Sequence, residues 1–156
     1  MAENEKLAGM VDVTNKPPAF RTATASGAIR LKRSTIEAIK EGRIKKGDVL
    51  TTARLAAILA VKDTPRIIPM CHNIPVTGLE VKFELEEERV GVAVTVTSVG
   101  MTGVEMEALT GVAVALLNVW DMVKYLEKDE TGNYPDTVID DILVLEKRKA
   151  LAKMHP

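Results

Sequence analysis

Alternation opens the readable part of the chain. Between Arg21 and Leu31, the residues Ala23, Ala25, Gly27, Ile29 and Leu31 share one face, with mostly polar groups opposite. That is the period of a strand that buries one side. Ser34-Thr-Ile-Glu37 then has a capping-box pattern that predicts a short helix, with Gly42 as its end. Lys45-Lys46-Gly47 makes a turn, and Asp48 is a good N-cap for a second helix to about Lys62. Ala53, Ala56, Ala57 and Ala60 give that helix a face for close packing. Pro65 and Pro69 bracket an irregular segment that carries Met70-Cys71-His72-Asn73. Leu79, Val81, Phe83 and Leu85 alternate with charges, and Val90, Val92, Val94 and Val96 alternate with small or polar residues. The two runs predict a β-hairpin with one buried face and an acidic turn. A long apolar helix follows, with Thr102 as N-cap and Glu105 at its third position. Asp129 to Pro135 is a turn-rich loop, and a last strand over about Thr137 to Leu145 precedes a basic stretch.

The order is strand, two helices, strand, strand, helix, strand. This is the βαββαβ order of a ferredoxin-like α+β fold: an antiparallel sheet with helices on one face and an extra helix in the first crossover. Residues 1–18, with Pro17 and Pro18, read as an irregular leader, residues 19–149 as one domain and residues 150–156 as a tail.

Composition narrows the classes. The 156 residues suit a single domain with a sizeable core. A net charge of −1 gives no whole-chain pull toward nucleic acid or membrane. The acidic run Glu84 to Glu88 and the basic run Glu146 to Lys153 read as solvated faces. Cys71 is the one cysteine, so an intramolecular disulfide is excluded, which fits the cytoplasm. The first residues have no apolar core of a signal peptide. The longest apolar runs, Leu55 to Val61 and Gly111 to Leu117, are too short to span a membrane.

Candidate chemistry starts with Asp121 and Lys124. They interrupt the apolar helix at i, i+3 and so share a face. Charges are costly to bury unless paired or used, so they are either a structural ion pair or part of a site. Burial would raise the Asp121 pKa and lower that of Lys124, with their mutual attraction opposing both. Lys46-Gly47-Asp48 precedes a helix N-terminus, where a lysine makes an anion-binding corner; an ordinary charged turn is the plainer alternative. His72 is a candidate proton donor or substrate contact, and Cys71 reads as core. With only His72 and His155 in the chain, a zinc site is not supported, and no metal is expected. Glu105 is explained as a cap, whereas Glu107 has no local reason. Two carboxylates this close can hold different pKa values.

Glu107 and Asp121 are fourteen residues apart on one helix, which separates them by about 21 Å. Either the helix breaks near Gly111 or the two groups act from different subunits. A helix that is apolar nearly all round suits burial between the sheet and a neighbouring subunit. The expectation is an oligomer with sites assembled across an interface.

The segments Met10 to Pro17, Lys46 to Arg54, Ile68 to Pro75, Thr102 to Thr110 and Asp121 to Lys124 together resemble the cyclic pyranopterin monophosphate synthases of molybdenum cofactor biosynthesis. The resemblance covers about Met10 to Lys149. It implies a ferredoxin-like fold in a homohexamer built as a trimer of dimers. It implies the substrate 3′,8-cyclo-7,8-dihydroguanosine triphosphate, with cyclic pyranopterin monophosphate and diphosphate as products. It places the acid–base and lysine positions on Lys46, His72, Glu105, Glu107, Asp121 and Lys124. Substrate contacts fall on Met70, Cys71, His72, Met106 and Glu107, with Arg21 as a phosphate contact. Such a conversion has no net redox change, so no cofactor is implied.

Two rival readings need less chemistry. A regulatory nucleotide-binding module would use only the Lys46 corner and the Cys71-His72 loop, leaving Asp121 and Lys124 unexplained. An RNA-binding ferredoxin-like domain would stack bases on sheet aromatics. Aromatics are 3% of this chain, and Phe83 is the one aromatic of the hairpin.

Overall fold

The computed structural model describes residues 9–151. Residues 1–8 and 152–156, which hold the start of the expected leader and the end of the tail with His155, lie outside the described residues. Seven elements follow in order: β1 (Ala19–Arg30), α1 (Arg33–Lys40), α2 (Val49–Ile67), β2 (Val76–Leu85), β3 (Arg89–Gly100), α3 (Glu105–Glu127) and β4 (Val138–Leu151). The strands form one sheet in the order β2-β3-β1-β4. Every pairing is antiparallel. This is the ferredoxin-like arrangement that the element order implies.

Register explains the core. Ala23 faces Val96 and Ala25 faces Val94 across β1 and β3, while Val81 faces Val94 across β2 and β3. All five are buried on the face that carries the helices. The opposite face is small and hydroxylic, with Thr24 and Thr95 sharing a 2.8 Å hydrogen bond. Phe83 lies on the helix face, its ring 5.8 Å from the Arg54 guanidinium. It packs against the hydrophobic core.

Glycine sets how closely α3 approaches. A Cβ on Gly27 would stand 2.9 Å from Val112 Cγ1, and one on Gly111 would stand 2.8 Å from Val61 Cγ2. Gly111 therefore seats α3 against α2 and the sheet; it does not break the helix, which runs without interruption from Glu105 to Glu127. By length and composition α3 is apolar enough to cross a membrane, a property the short uninterrupted runs concealed. Its apolar residues Ala108, Val112, Ala115, Leu116, Val119 and Val123 are instead buried in the core.

Helix ends depart from the local patterns. α1 begins at Arg33 with no side-chain cap from Ser34. The Glu127 carboxylate arrives there from α3 instead, accepting from the Lys32 N–H at 3.1 Å and the Thr35 hydroxyl at 2.6 Å. Gly42 does end α1, with φ +66° and the Arg43 N–H donating to Ala38 O, a Schellman closure. Asp48 caps α2 through the Thr51 N–H at 2.8 Å. α2 continues past Lys62, through Pro65, to Ile67. Pro65 has no N–H to donate to Val61 O, while the buried Thr64 hydroxyl donates to Ala60 O in the same turn at 2.9 Å. Thr102 does not cap α3, whose N-cap is Val104 without a side-chain bond. β4 extends beyond Leu145 to Leu151, so residues 146–151 of the basic run pair with β1. An edge strand tolerates such charges because one side meets water.

Candidate active site

The C-terminal half of α3 carries the first cluster. Lys46 Nζ donates to Asp121 Oδ2 at 2.7 Å and to the Asp121 carbonyl at 3.2 Å. Lys124 Nζ lies 3.0 Å from Asp121 Oδ1. One carboxylate is thus clamped between two ammonium groups, and all three side chains are about half exposed. The hydrogen bond from Lys46, with that from Lys124, holds Asp121 below the usual carboxylate range. The Asp121 carboxylate in turn raises Lys124. The expected burial shifts therefore do not occur: attraction outweighs a desolvation that hardly exists at this surface. Lys46 is brought here by the turn between α1 and α2, where the Lys45 N–H donates to the Tyr125 hydroxyl at 3.0 Å. With one negative and two positive charges, the cluster favours an anion and holds ammonium protons within reach of it.

The N-terminal end of α3 carries the second cluster. Glu105 Oε1 accepts from Lys147 Nζ at 2.7 Å. Its other oxygen folds so closely over Gly103 that a Cβ there would lie 1.9 Å away. Partial burial pushes Glu105 up, but Lys147, with Arg21 adding, brings it below the usual range. The expected role of Glu105 as a cap gives way to this ion pair. Arg21 donates Nε to Gly100 O at 3.1 Å and Nη2 to Met101 O at 3.2 Å, so the end of β3 holds its guanidinium.

Glu107 is the outlier. It is 2% exposed, and neither carboxylate oxygen has a hydrogen-bond partner. Burial pushes it above the usual carboxylate range, and the charge of Glu105 adds to the shift. Cys71 lies close enough that burial first, and the Glu107 charge second, push its thiol up. His72 Nε2 stands 2.6 Å from Val11 O, which ties the leader to the loop after α2. Val13, His72, Ile74, Gly100 and Met101 line a cleft of about 300 Å³ beside it. Met70 and Met106 are exposed. Among the described residues, no group of three or more His, Cys, Asp and Glu side chains converges as a metal cage.

The structure thus sorts the expected residues into two sets at opposite ends of one helix. Lys46, Asp121 and Lys124 stand together. Arg21 and Glu105 stand together, with Glu107 and Cys71 nearby and His72 on the adjoining loop. Three further contributors, Lys147, Tyr125 and Glu127, carry little signal in the sequence. Lys147 lies in Glu146-Lys147-Arg148-Lys149, four consecutive charged residues with no alternation to mark a strand. Tyr125 had the i+4 spacing from Asp121 as its signal. Glu127, a carboxylate with no exposed surface, reads in sequence like any charged helix end.

Comparison with known proteins covers nearly the whole chain. The model of the MoaC family matches residues 10–150. A probable cyclic pyranopterin monophosphate synthase of Aeropyrum pernix is 59% identical over 142 residues, covering 91% of this chain and 97% of its own. One from Methanococcoides burtonii is 60% identical over 140 residues, covering 90% and 88%. A relative from Methanothermobacter thermautotrophicus, 56% identical with 94% and 92% covered, bears the name probable cyclic pyranopterin monophosphate synthase accessory protein. The paired clusters on α3 and the match along residues 10–150 lead to one conclusion: this chain belongs to the MoaC family.

Proposed function

We infer that this chain is an enzyme, a cyclic pyranopterin monophosphate synthase of molybdenum cofactor biosynthesis. It converts 3′,8-cyclo-7,8-dihydroguanosine triphosphate to cyclic pyranopterin monophosphate and diphosphate. Within the structure, the observation that carries this reading is the Asp121 carboxylate clamped by Lys46 and Lys124. The reaction opens the five-membered ring of the modified guanine, rebuilds it as a pterin, closes a cyclic phosphate and expels diphosphate. Ring opening and closure need positioned proton donors and acceptors. Lys124 and Asp121 supply them beside the purine. Lys46 and Arg21 neutralise the triphosphate and the charge developing on diphosphate. Glu107, with both oxygens unpartnered, and His72 hold the base and ribose or move protons between them, flanked by Met70, Cys71 and Met106.

An unbroken α3 leaves Glu107 and Asp121 about 21 Å apart, which is too far for one small substrate to touch both within one chain. The reading is therefore an assembly in which the N-terminal cluster of one subunit faces the C-terminal cluster of another. Leu55, Leu59 and Leu117 are exposed on the outer sides of α2 and α3, where such a neighbour would cover them. A homohexamer built as a trimer of dimers, working in the cytoplasm, completes the proposal. The test is incubation with the cyclic dihydro-GTP intermediate, with the pterin and diphosphate read by mass spectrometry. Binding without products would refute the enzymatic reading.

A further inference from the structure

The turn between α1 and α2 delivers Lys46, and its attachment to α3 has a second part. Gly47, at φ +105°, donates its N–H to Ile44 O at 3.0 Å, which closes the turn. One residue before Lys46, the Lys45 N–H donates to Tyr125 Oη at 3.0 Å. The Lys45 ammonium also lies 5.1 Å from the centroid of the same ring. Tyr125 is four residues after Asp121, so both side chains project from one face of α3 toward this turn. The structure assigns Tyr125 as a positioning residue that fastens the turn to α3 and so keeps Lys46 on Asp121.

The bond at Lys45 is solvent-exposed. Water would satisfy that amide almost as well, so the bond adds little to folding stability. Its consequence is geometric. A lysine side chain has several rotatable bonds, and holding its ammonium in one place costs rotamer freedom. Anchoring the backbone one residue away limits where that ammonium reaches. The charged groups facing Asp121 are Lys46 from the turn and Lys124 from its own helix. The Tyr134 ring, edge-on to Trp120 at 5.5 Å, belongs to the following loop.

This inference rests on the proposed reading only for the meaning of Lys46 in turnover. Its test has two readouts on the full chain: Asp121 titration by carboxylate carbon NMR, and steady-state kinetics on the cyclic dihydro-GTP intermediate. Tyr125→Phe keeps the ring and its stacking with Lys45 and removes only the acceptor. The expected result is an unchanged melting temperature and an Asp121 titration moved up toward that of Lys46→Ala. In the Lys46→Ala background, Tyr125→Phe moves the titration no further. The kcat/KM of Tyr125→Phe falls about fivefold, the scale of one misplaced hydrogen bond. Identical Asp121 titrations in wild type and Tyr125→Phe would overturn the assignment, as would an equal shift with and without Lys46. Absence of turnover by the wild type would instead defeat the enzymatic reading, with the titration still deciding the role of Tyr125.

Discussion

Glu107 shows how much a single residue reports. An unpartnered buried carboxylate is costly, and burial raises its folded pKa above the unfolded value. A raised acid favours the folded state while it is protonated, and that advantage is lost as pH rises through the folded pKa. Glu107→Gln should therefore raise the melting temperature by about 2–6 °C at pH 7 and much less at pH 4, in thermal scans at both values. Lys124 carries the complementary prediction. Lys124→Ala should abolish product formation while circular dichroism and the melting temperature stay near wild type, since its ammonium is exposed. Near-normal turnover would remove it from the machinery. Asp121 and Lys124 were legible from sequence as an interruption of an apolar run. That they would be exposed and clamped by Lys46 was not, because side-chain partners from another element leave no trace in helix periodicity.

At the scale of elements, the carboxylate of Glu127 joins three pieces of chain. It accepts from the start of α1 through Lys32 N–H and Thr35, and from the segment entering β4 through the Thr137 hydroxyl at 3.0 Å. Glu127→Ala would strand those donors in the core. The expected loss is about 2–4 kcal/mol in urea unfolding, more than a surface glutamate could cost. Gly111 offers a second test. Alanine favours a helix over glycine by about 1 kcal/mol, yet a Cβ there meets Val61 at 2.8 Å and Val94 at 3.2 Å. Crowding of about 1–3 kcal/mol should prevail, and Gly111→Ala should melt lower than wild type in a thermal scan. Strand alternation placed β1 to within two residues at each end, whereas β2 begins at Val76, before the alternating run, and β3 continues past Val96 to Gly100. The capping pattern at Ser34 failed because Glu127 reaches the start of α1 from α3; at Thr102 the N-cap is instead Val104, with Glu105 drawn to Lys147; and α2 runs through Pro65 to Ile67.

For the whole molecule, the question is whether the two clusters on α3 serve one substrate. Mixing answers it. Glu107→Gln and Lys124→Ala, each inactive alone, should recover about a quarter of wild-type activity when co-refolded, because random pairing leaves some interfaces with both native halves. No recovery, with mixed oligomers present on native mass spectrometry, would refute sites shared between subunits.

Much was decided before folding is considered. The alternation of Ala23 to Leu31 and of Val90 to Val96, and the length and apolarity of the helix before Asp121, determine the strands, the helices and their order. These are local periodicities, and burying one face of each element leaves few topologies open. The unbroken helix also makes the separation of Glu107 from Asp121 a matter of counting residues. Only the tertiary structure decided which charges are buried: Glu107 and Glu127 inside, Asp121 and Lys124 outside. Burial depends on what packs against a position from distant parts of the chain. The same holds for Lys147 on Glu105, Tyr125 on Lys45 and Glu127 at the start of α1, contacts between residues 42 to 95 positions apart that no window along the chain contains.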